Sequence, residues 1–210
     1  MRILLLGATG ATGRSTLARL LADGHEVTAL VRDPAKLPVL SRLRTVPGDA
    51  RSVDDVGEAM RGADATVSCL GTGLRYRADD LILRTTEAVV DASDRTGVRR
   101  VVMLSAFGVG DTRRSAGWPM RQAYRLMAPV FDDKARGEAL LRASALDWTI
   151  AYAVTLTNGA RRGGVRVDDM DDVRIVPGVP FIARRDVADQ LVALAVDGGR
   201  FRRGVLLRYG

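Results

Sequence analysis

At 210 residues, with 47% hydrophobic and 5% aromatic side chains, the chain can bury a core within one domain and is too apolar to be disordered or fibrous. Its formal charge of +7 comes almost wholly from arginine, since only Lys36 and Lys134 are lysines. The arginines are dispersed from Arg2 to Arg208, which argues against nucleic acid or a membrane surface as partner and leaves a solvated basic surface and an anionic small molecule.

Residues 3–6, Ile-Leu-Leu-Leu, make a short apolar run ended by Gly7, the pattern of a strand covered on both faces. The run is too short for a signal-peptide core, and no later run has membrane-spanning length. A helix follows, with Leu17, Leu20 and Leu21 at helical spacing and Gly24 where a left-handed residue would end it. Residues 27–31 give a second strand. An apolar-flanked segment at 43–46 comes next, then a helix opened by Ser52 with Asp55 three residues on. Residues 65–70 and 101–104 read as further buried strands, separated by a helix over about 80–96. Within the first of these lies Cys69, the only cysteine, which excludes an internal disulfide. It reads as a small core residue in a reducing compartment, with the cytoplasm as the expected location. The last clear unit is a helix over 134–144 followed by a strand over 148–154.

Six strand–helix repeats predict an α/β fold: a doubly wound, Rossmann-type parallel sheet with helices on both faces. After Thr155 the pattern loosens at Asn158-Gly159, Gly163-Gly164, the acidic run 168–172 and Pro177-Gly178-Val179-Pro180. Residues 155–210 are therefore expected to add a small substrate-side cap to a single 1–210 domain, with a helix over 186–196 and an edge strand over 205–207.

Gly7-Ala8-Thr9-Gly10-Ala11-Thr12-Gly13 spaces glycines by three between the first strand and the first helix. Glycine there permits positive φ and close backbone approach, so amide groups and the helix N-terminus face an anion such as a pyrophosphate. Gly7, Thr9, Gly10, Ala11, Thr12 and Gly13 are thus the expected dinucleotide loop. An acidic residue ending the second strand would accept the ribose hydroxyls of NAD; here Arg32 stands first, followed by Asp33, with Lys36 a turn further on. A guanidinium at that point suits a 2′-phosphate, so the expected cofactor is NADP(H).

In order along the chain, Gly7-Ala-Thr-Gly-Ala-Thr-Gly13, Val31-Arg-Asp33 with Leu37-Pro38, Gly48-Asp49, Leu70-Gly71-Thr72, Leu104-Ser-Ala-Phe107 and Leu140-Leu-Arg-Ala-Ser144 resemble the atypical short-chain dehydrogenase/reductase group. Within it, the chain looks most like the biliverdin-IXβ reductase/flavin reductase type of NAD(P)H-binding protein. The resemblance spans residues 1 to about 158. It implies that Asp49 and the Ala50 backbone border the adenine, that Leu70, Gly71 and Thr72 line the ribose and pyrophosphate, and that Ser105 lies near the nicotinamide carboxamide and the substrate. Strand C-termini of open parallel sheets are also where ligands sit on general grounds.

Short-chain dehydrogenases usually place a tyrosine four residues before a lysine, whose ammonium lowers the phenol pKa. Counting back from Lys134 gives Val130, and neither Phe131 nor the more distant Tyr124 supplies the acid. The flavin-reductase type works without that tyrosine, an easily reduced planar ligand taking hydride directly and a solvent proton afterwards. Where that type often has histidine this chain has Lys134, which has three readings: orienting ribose, contacting an anionic substrate, or pairing with Asp132 or Asp133. His25, the only histidine, precedes the second strand and reads as a surface residue, so no histidine-based metal site is expected. The apolar stretch 118–131, with Trp118, Met120, Tyr124, Leu126 and Met127, has the composition of a lid over a flat ligand, of plain core, or of a dimer contact.

The leading expectation is an NADPH-dependent reductase of a planar conjugated acceptor such as a flavin, quinone, tetrapyrrole or polycyclic ketone, acting as monomer or homodimer. The alternative is a nonenzymatic NADP(H) sensor of the kind found among NmrA-like proteins, which would need no proton donor.

Overall fold

The computed structural model describes residues 1–71, 79–126, 128–197 and 199–210. Strand β1 (Arg2–Leu6), helix α1 (Ala11–Ala22) and strand β2 (Glu26–Val31) open the fold, and β3 (Leu43–Pro47), α2 (Val53–Met60), β4 (Ala65–Ser68), α3 (Leu81–Thr96) and β5 (Arg100–Ala106) continue it. Helices α4 (Trp118–Leu126) and α5 (Ala128–Ala143) lead to β6 (Asp147–Ala153). Strands β7 (Thr155–Thr157), β8 (Val165–Asp169) and β9 (Phe181–Ala183), helix α6 (Arg184–Val196) and strand β10 (Arg203–Tyr209) complete it.

The main sheet runs in the order β3-β2-β1-β4-β5-β6-β10-β8, parallel throughout except for β8. Residues Ile3, Leu4, Leu5 and Leu6, and all of β4, are buried, because helices cover both faces: α1 and α6 pack together, as do α2, α3 and α5. This is the doubly wound Rossmann arrangement expected from the alternation. Ser52 opens α2 by accepting from the Asp55 amide at 3.3 Å, and Gly24 follows α1 at φ +82°. The start of α3 is capped from another helix: the buried Asp133 carboxylate of α5 accepts the Ile82 and Leu83 amides at 3.0 and 3.1 Å.

Three expectations are corrected. No α-helix joins β2 to β3; the link holds one 3₁₀ turn, Pro34–Lys36, because Pro34 and Pro38 bracket too few residues for a helix that could cover the sheet. The helix read over 134–144 starts earlier, at Ala128, so Lys134 lies in its second turn rather than at its start. Strand 205–207 is not an edge. It belongs to β10, which lies between β6 and the antiparallel β8, and β8 takes in the first half of the acidic run read as a break. Asp168 tolerates a strand because its carboxylate meets Arg208 Nε at 2.8 Å and Arg166 Nη2 at 3.2 Å along the true edge, where charge also opposes further pairing. Beyond the main sheet, β7 and β9 pair as a two-stranded parallel ribbon.

Candidate functional site

Strand register brings the expected residues to one edge of the sheet. Leu6 is level with Leu30 and Ser68, Val31 with Pro47, and Ser68 with Met103. Gly7, Arg32, Gly48, Leu70 and Ser105 therefore emerge together at the carboxyl end. The chain leaves β1 toward β2 on one side, while β4 lies on the other, so the crevice of the fold opens directly above the glycine loop.

The loop itself requires its glycines. Gly7 has φ +80°, and a β-carbon there would lie 3.0 Å from the Cys69 backbone. The Gly10 amide closes the turn on the Gly7 carbonyl at 3.0 Å. Helix α1 then begins with no side-chain cap and no acidic residue in its first turn, leaving its amides and positive dipole end for a ligand anion. Thr12 and Gly13 are buried beneath this turn, whereas Thr9 is half-buried and Gly10 and Ala11 are exposed. The loop fits a dinucleotide pyrophosphate on these grounds.

Arginines frame the ends of β2 and β3 beside the loop. Arg32 is exposed, as are Asp33 and Lys36, and Asp33 turns to Lys36 Nζ at 3.6 Å rather than to Arg32. Arg14 was not singled out from the sequence; its Nε reaches the Thr9 carbonyl at 3.1 Å and its Nη2 the Lys36 carbonyl at 3.3 Å, tying the glycine loop to the 3₁₀ turn. Arg51 was missed as well. It donates to Asp49 Oδ2 at 2.6 Å, and that bond, together with the Arg51 backbone amide and the Arg32 charge, outweighs burial and holds the Asp49 carboxyl below the usual range. Ala50 and Leu70 are half-buried, and Gly71 is exposed, an added β-carbon there meeting no atom of the described residues within 4 Å. Thr72 lies outside the described residues.

Ser105 is 4% exposed and belongs to a buried polar network. Its hydroxyl donates to Glu138 Oε1, Tyr152 OH donates to Glu138 Oε2 at 2.6 Å, and Arg142 Nη2 donates to the Tyr152 oxygen at 2.7 Å. Burial pushes the Glu138 carboxyl up, against the pull of Ser105, Tyr152, Lys134 and Arg142. Burial also drives the Tyr152 phenol far above its ordinary value, and the neighbouring Glu138 adds to this. Lys134, one turn before Glu138, is half-buried; burial lowers its ammonium pKa while Glu138 and Asp133 oppose the change. Neither Asp132 nor Asp133 pairs with it within 4 Å, and Asp133 is engaged by α3. Val130 is buried, as is Tyr124, which packs on Phe131 with ring centroids 5.2 Å apart and whose phenol is pushed up to about 12. Trp118 stays 70% exposed. A hollow of about 890 Å³ between β3, α2 and α3 contains none of the residues expected to hold the cofactor.

The sheet order, the switch point and the glycine loop define a Rossmann-type dinucleotide-binding protein. A family model described as NAD(P)H-binding matches residues 7–197, and the chain belongs to that family. A 3-diazoavenalumate denitrifying reductase from a Streptomyces species is 38% identical over 117 residues, 50% of this chain and 38% of that protein. The chain spans a minor part of such curated relatives, falling to 12% for an uncharacterized protein of Mycobacterium tuberculosis. Among solved structures, an anaerobillin reductase from Escherichia coli is similar with TM-score 0.82 and 25% identity, over 99% of this chain and 97% of that one. A short-chain dehydrogenase/reductase from Veillonella parvula in complex with NADP has TM-score 0.83 at 18% identity, over 99% and 94% of the two chains, a likeness of fold.

Proposed function

We propose that this protein is an NADPH-dependent reductase of a planar conjugated acceptor, a flavin, quinone, tetrapyrrole or polycyclic ketone, working without a tyrosine acid. The observation that carries the reading is the alignment of the glycine loop and Ser105 at one carboxyl edge, with Val130 buried where a phenol would stand. When bound, a reduced nicotinamide supplies hydride. Gly7, Thr9, Gly10, Ala11, Thr12 and Gly13 hold the pyrophosphate with Leu70, Gly71 and Thr72 beside it, while Asp49 and Ala50 border the adenine. Arg32 and Lys36, steadied by Arg14, take the 2′-phosphate, which a guanidinium grips through paired charged hydrogen bonds. Ser105 and Lys134 border the reacting end. Both similar reductases support this class of chemistry, and the solved relative with NADP supports the cofactor.

Following absorbance at 340 nm with a panel of flavins, quinones, tetrapyrroles and polycyclic ketones tests the reading. Turnover with NADPH in preference to NADH is expected; NADPH oxidation with none of them would sink it.

That no tyrosine stands four residues before Lys134, with Tyr124 and Tyr152 both buried, also favours a second reading, a nonenzymatic NADP(H) sensor. Ser105→Ala separates the two: it diminishes an activity in a reductase and leaves cofactor-dependent partner binding intact in a sensor.

A further inference from the structure

A carboxyl group sealed under a helix, with hydroxyl donors on two strands and no cation in direct contact among the described residues, is an arrangement that packing alone does not call for. Glu138 is 4% exposed and faces Ser105 from β5, Tyr152 from β6, and Lys134 and Arg142 on its own helix. Neither cation pairs with it within 4 Å; Arg142 donates to the Tyr152 oxygen and lies over the Trp148 ring. Burying a carboxylate without an ion pair is costly, so the neutral form is within reach, as the upward push on this carboxyl also indicates.

Topology orders the group along the sheet. Helix α5 returns antiparallel to β5 and β6, so its N-terminal end lies at the carboxyl edge, with Lys134 one turn nearer the cofactor crevice than Glu138 and Arg142 one turn farther. Ser105, next to last in β5, joins the buried acid to that edge. Its hydroxyl has one proton. With Glu138 ionised, that proton points at the carboxylate. With Glu138 protonated, the acid donates to Ser105 Oγ and frees the Ser105 proton for the crevice.

We propose that Glu138 stores the proton that accompanies hydride in the reduction and delivers it to the acceptor through the Ser105 hydroxyl. The inference rests on the reductase reading above. The acceptor gains two electrons with the hydride from the nicotinamide; the anion so formed takes the Ser105 proton as the Glu138 O–H bond breaks and a new O–H bond forms on Ser105. Glu138 is left as carboxylate and is reprotonated from water, so one NADPH and one solvent proton are consumed per acceptor. Glu138 acts through Ser105 and does not touch the acceptor itself.

The test compares the wild-type chain with Glu138→Gln and Tyr152→Phe. Glutamine keeps a donor for Ser105 and an acceptor for Tyr152 but holds no labile acid, so NADPH affinity should be unchanged while kcat falls about 100-fold. Wild-type kcat should decline as pH rises through the Glu138 titration, and this limb should vanish in Glu138→Gln. Independently of turnover, the Glu138 carboxyl carbon, assigned by its loss in Glu138→Gln, should titrate above the ordinary glutamate value near 4.3 by 13C NMR of the cofactor-free protein. Tyr152→Phe removes a donor to the charged form and should move both the NMR midpoint and the kinetic limb upward by about one pH unit. If Glu138→Gln fails to fold, this paired shift decides the matter. A midpoint at or below 4.3, an unshifted kinetic limb in Tyr152→Phe, or wild-type kcat in Glu138→Gln overturns the proposal alone. A wild-type protein that turns over no acceptor overturns the reductase reading and the proposal with it.

Discussion

A β-carbon on Gly13 would stand 2.0 Å from the Gly7 carbonyl oxygen and 2.7 Å from its carbon. Both contacts are to backbone, which has no rotamer to yield, so helix α1 and the loop must separate to admit even alanine. Gly13→Ala is therefore expected to cost about 1–3 kcal/mol of stability and to weaken NADPH binding at least tenfold. Gly57 in α2 makes the contrast: its nearest neighbour to an added β-carbon is Ala92 at 3.9 Å, an ordinary contact. Gly57→Ala should stabilise by about 0.5–1 kcal/mol. Urea denaturation of both variants and fluorescence titration of Gly13→Ala with NADPH check the pair.

In the proposed reading, cofactor choice turns on Arg32. If it takes a 2′-phosphate through charged hydrogen bonds worth about 1.5–3 kcal/mol, Arg32→Ala weakens NADPH about 10- to 100-fold and leaves NADH nearly unchanged. Arg14→Ala should weaken both cofactors, since the side chain braces the loop at Thr9 as well as the turn at Lys36. Binding titrations with the two cofactors separate these outcomes, and an equal loss of both in Arg32→Ala would count against the phosphate assignment.

The acid limb of stability should carry a contribution from Asp186. Its carboxylate accepts Tyr209 OH at 2.6 Å and the Arg162 and Gly163 amides at 2.9 Å each. Burial acts to raise its pKa, but these three bonds and the Arg161 charge together hold it below the usual value. A depressed folded-state pKa adds stability above the unfolded value near 3.9, and that contribution disappears as pH falls through the lower folded value. Asp186→Asn should thus be less stable than wild type at pH 7, with the gap narrowing below pH 4. Denaturant midpoints measured from pH 7 to 2.5 test it; a constant gap would show that the charge is not responsible.

Cys69 is expected to be inert. Burial pushes its thiol up to about 11, outweighing the contact with Thr16 Oγ at 3.5 Å. At pH 8 the native protein should take up iodoacetamide far more slowly than the same protein in guanidinium, as mass spectrometry of the intact chain would read.

Much of the fold was legible because its causes are local. Four-residue aliphatic runs ending in glycine mark strands that are covered on both faces, and Ser52 with Asp55, or Gly24, mark helix ends through bonds a few residues long. The errors fell where a distant partner decided the outcome. Nothing near 165–169 announces a strand; Val165 and Val167 are apolar, but the acidic residues beside them are tolerated because Arg208 and Arg203 of the neighbouring β10 reach Asp168 and Asp169. The glycine loop was legible for the same reason as the strands, whereas Arg14 was not, since it is defined by a bridge across twenty-two residues.

The sequence by itself determined that the chain alternates strand and helix, that a dinucleotide loop follows the first strand, and that no tyrosine stands four residues before Lys134. These are matters of period, of glycine's backbone freedom and of residue identity, none of which needs a neighbour in space. Only the tertiary structure decided what surrounds Ser105. Glu138, Tyr152 and Arg142 read as one more helical acid, a strand aromatic and a helical base until α5 is laid across β5 and β6. Burial then pushes up a carboxyl that would otherwise lie in solvent, because desolvation acts on where a group lies and not on where it falls in the chain.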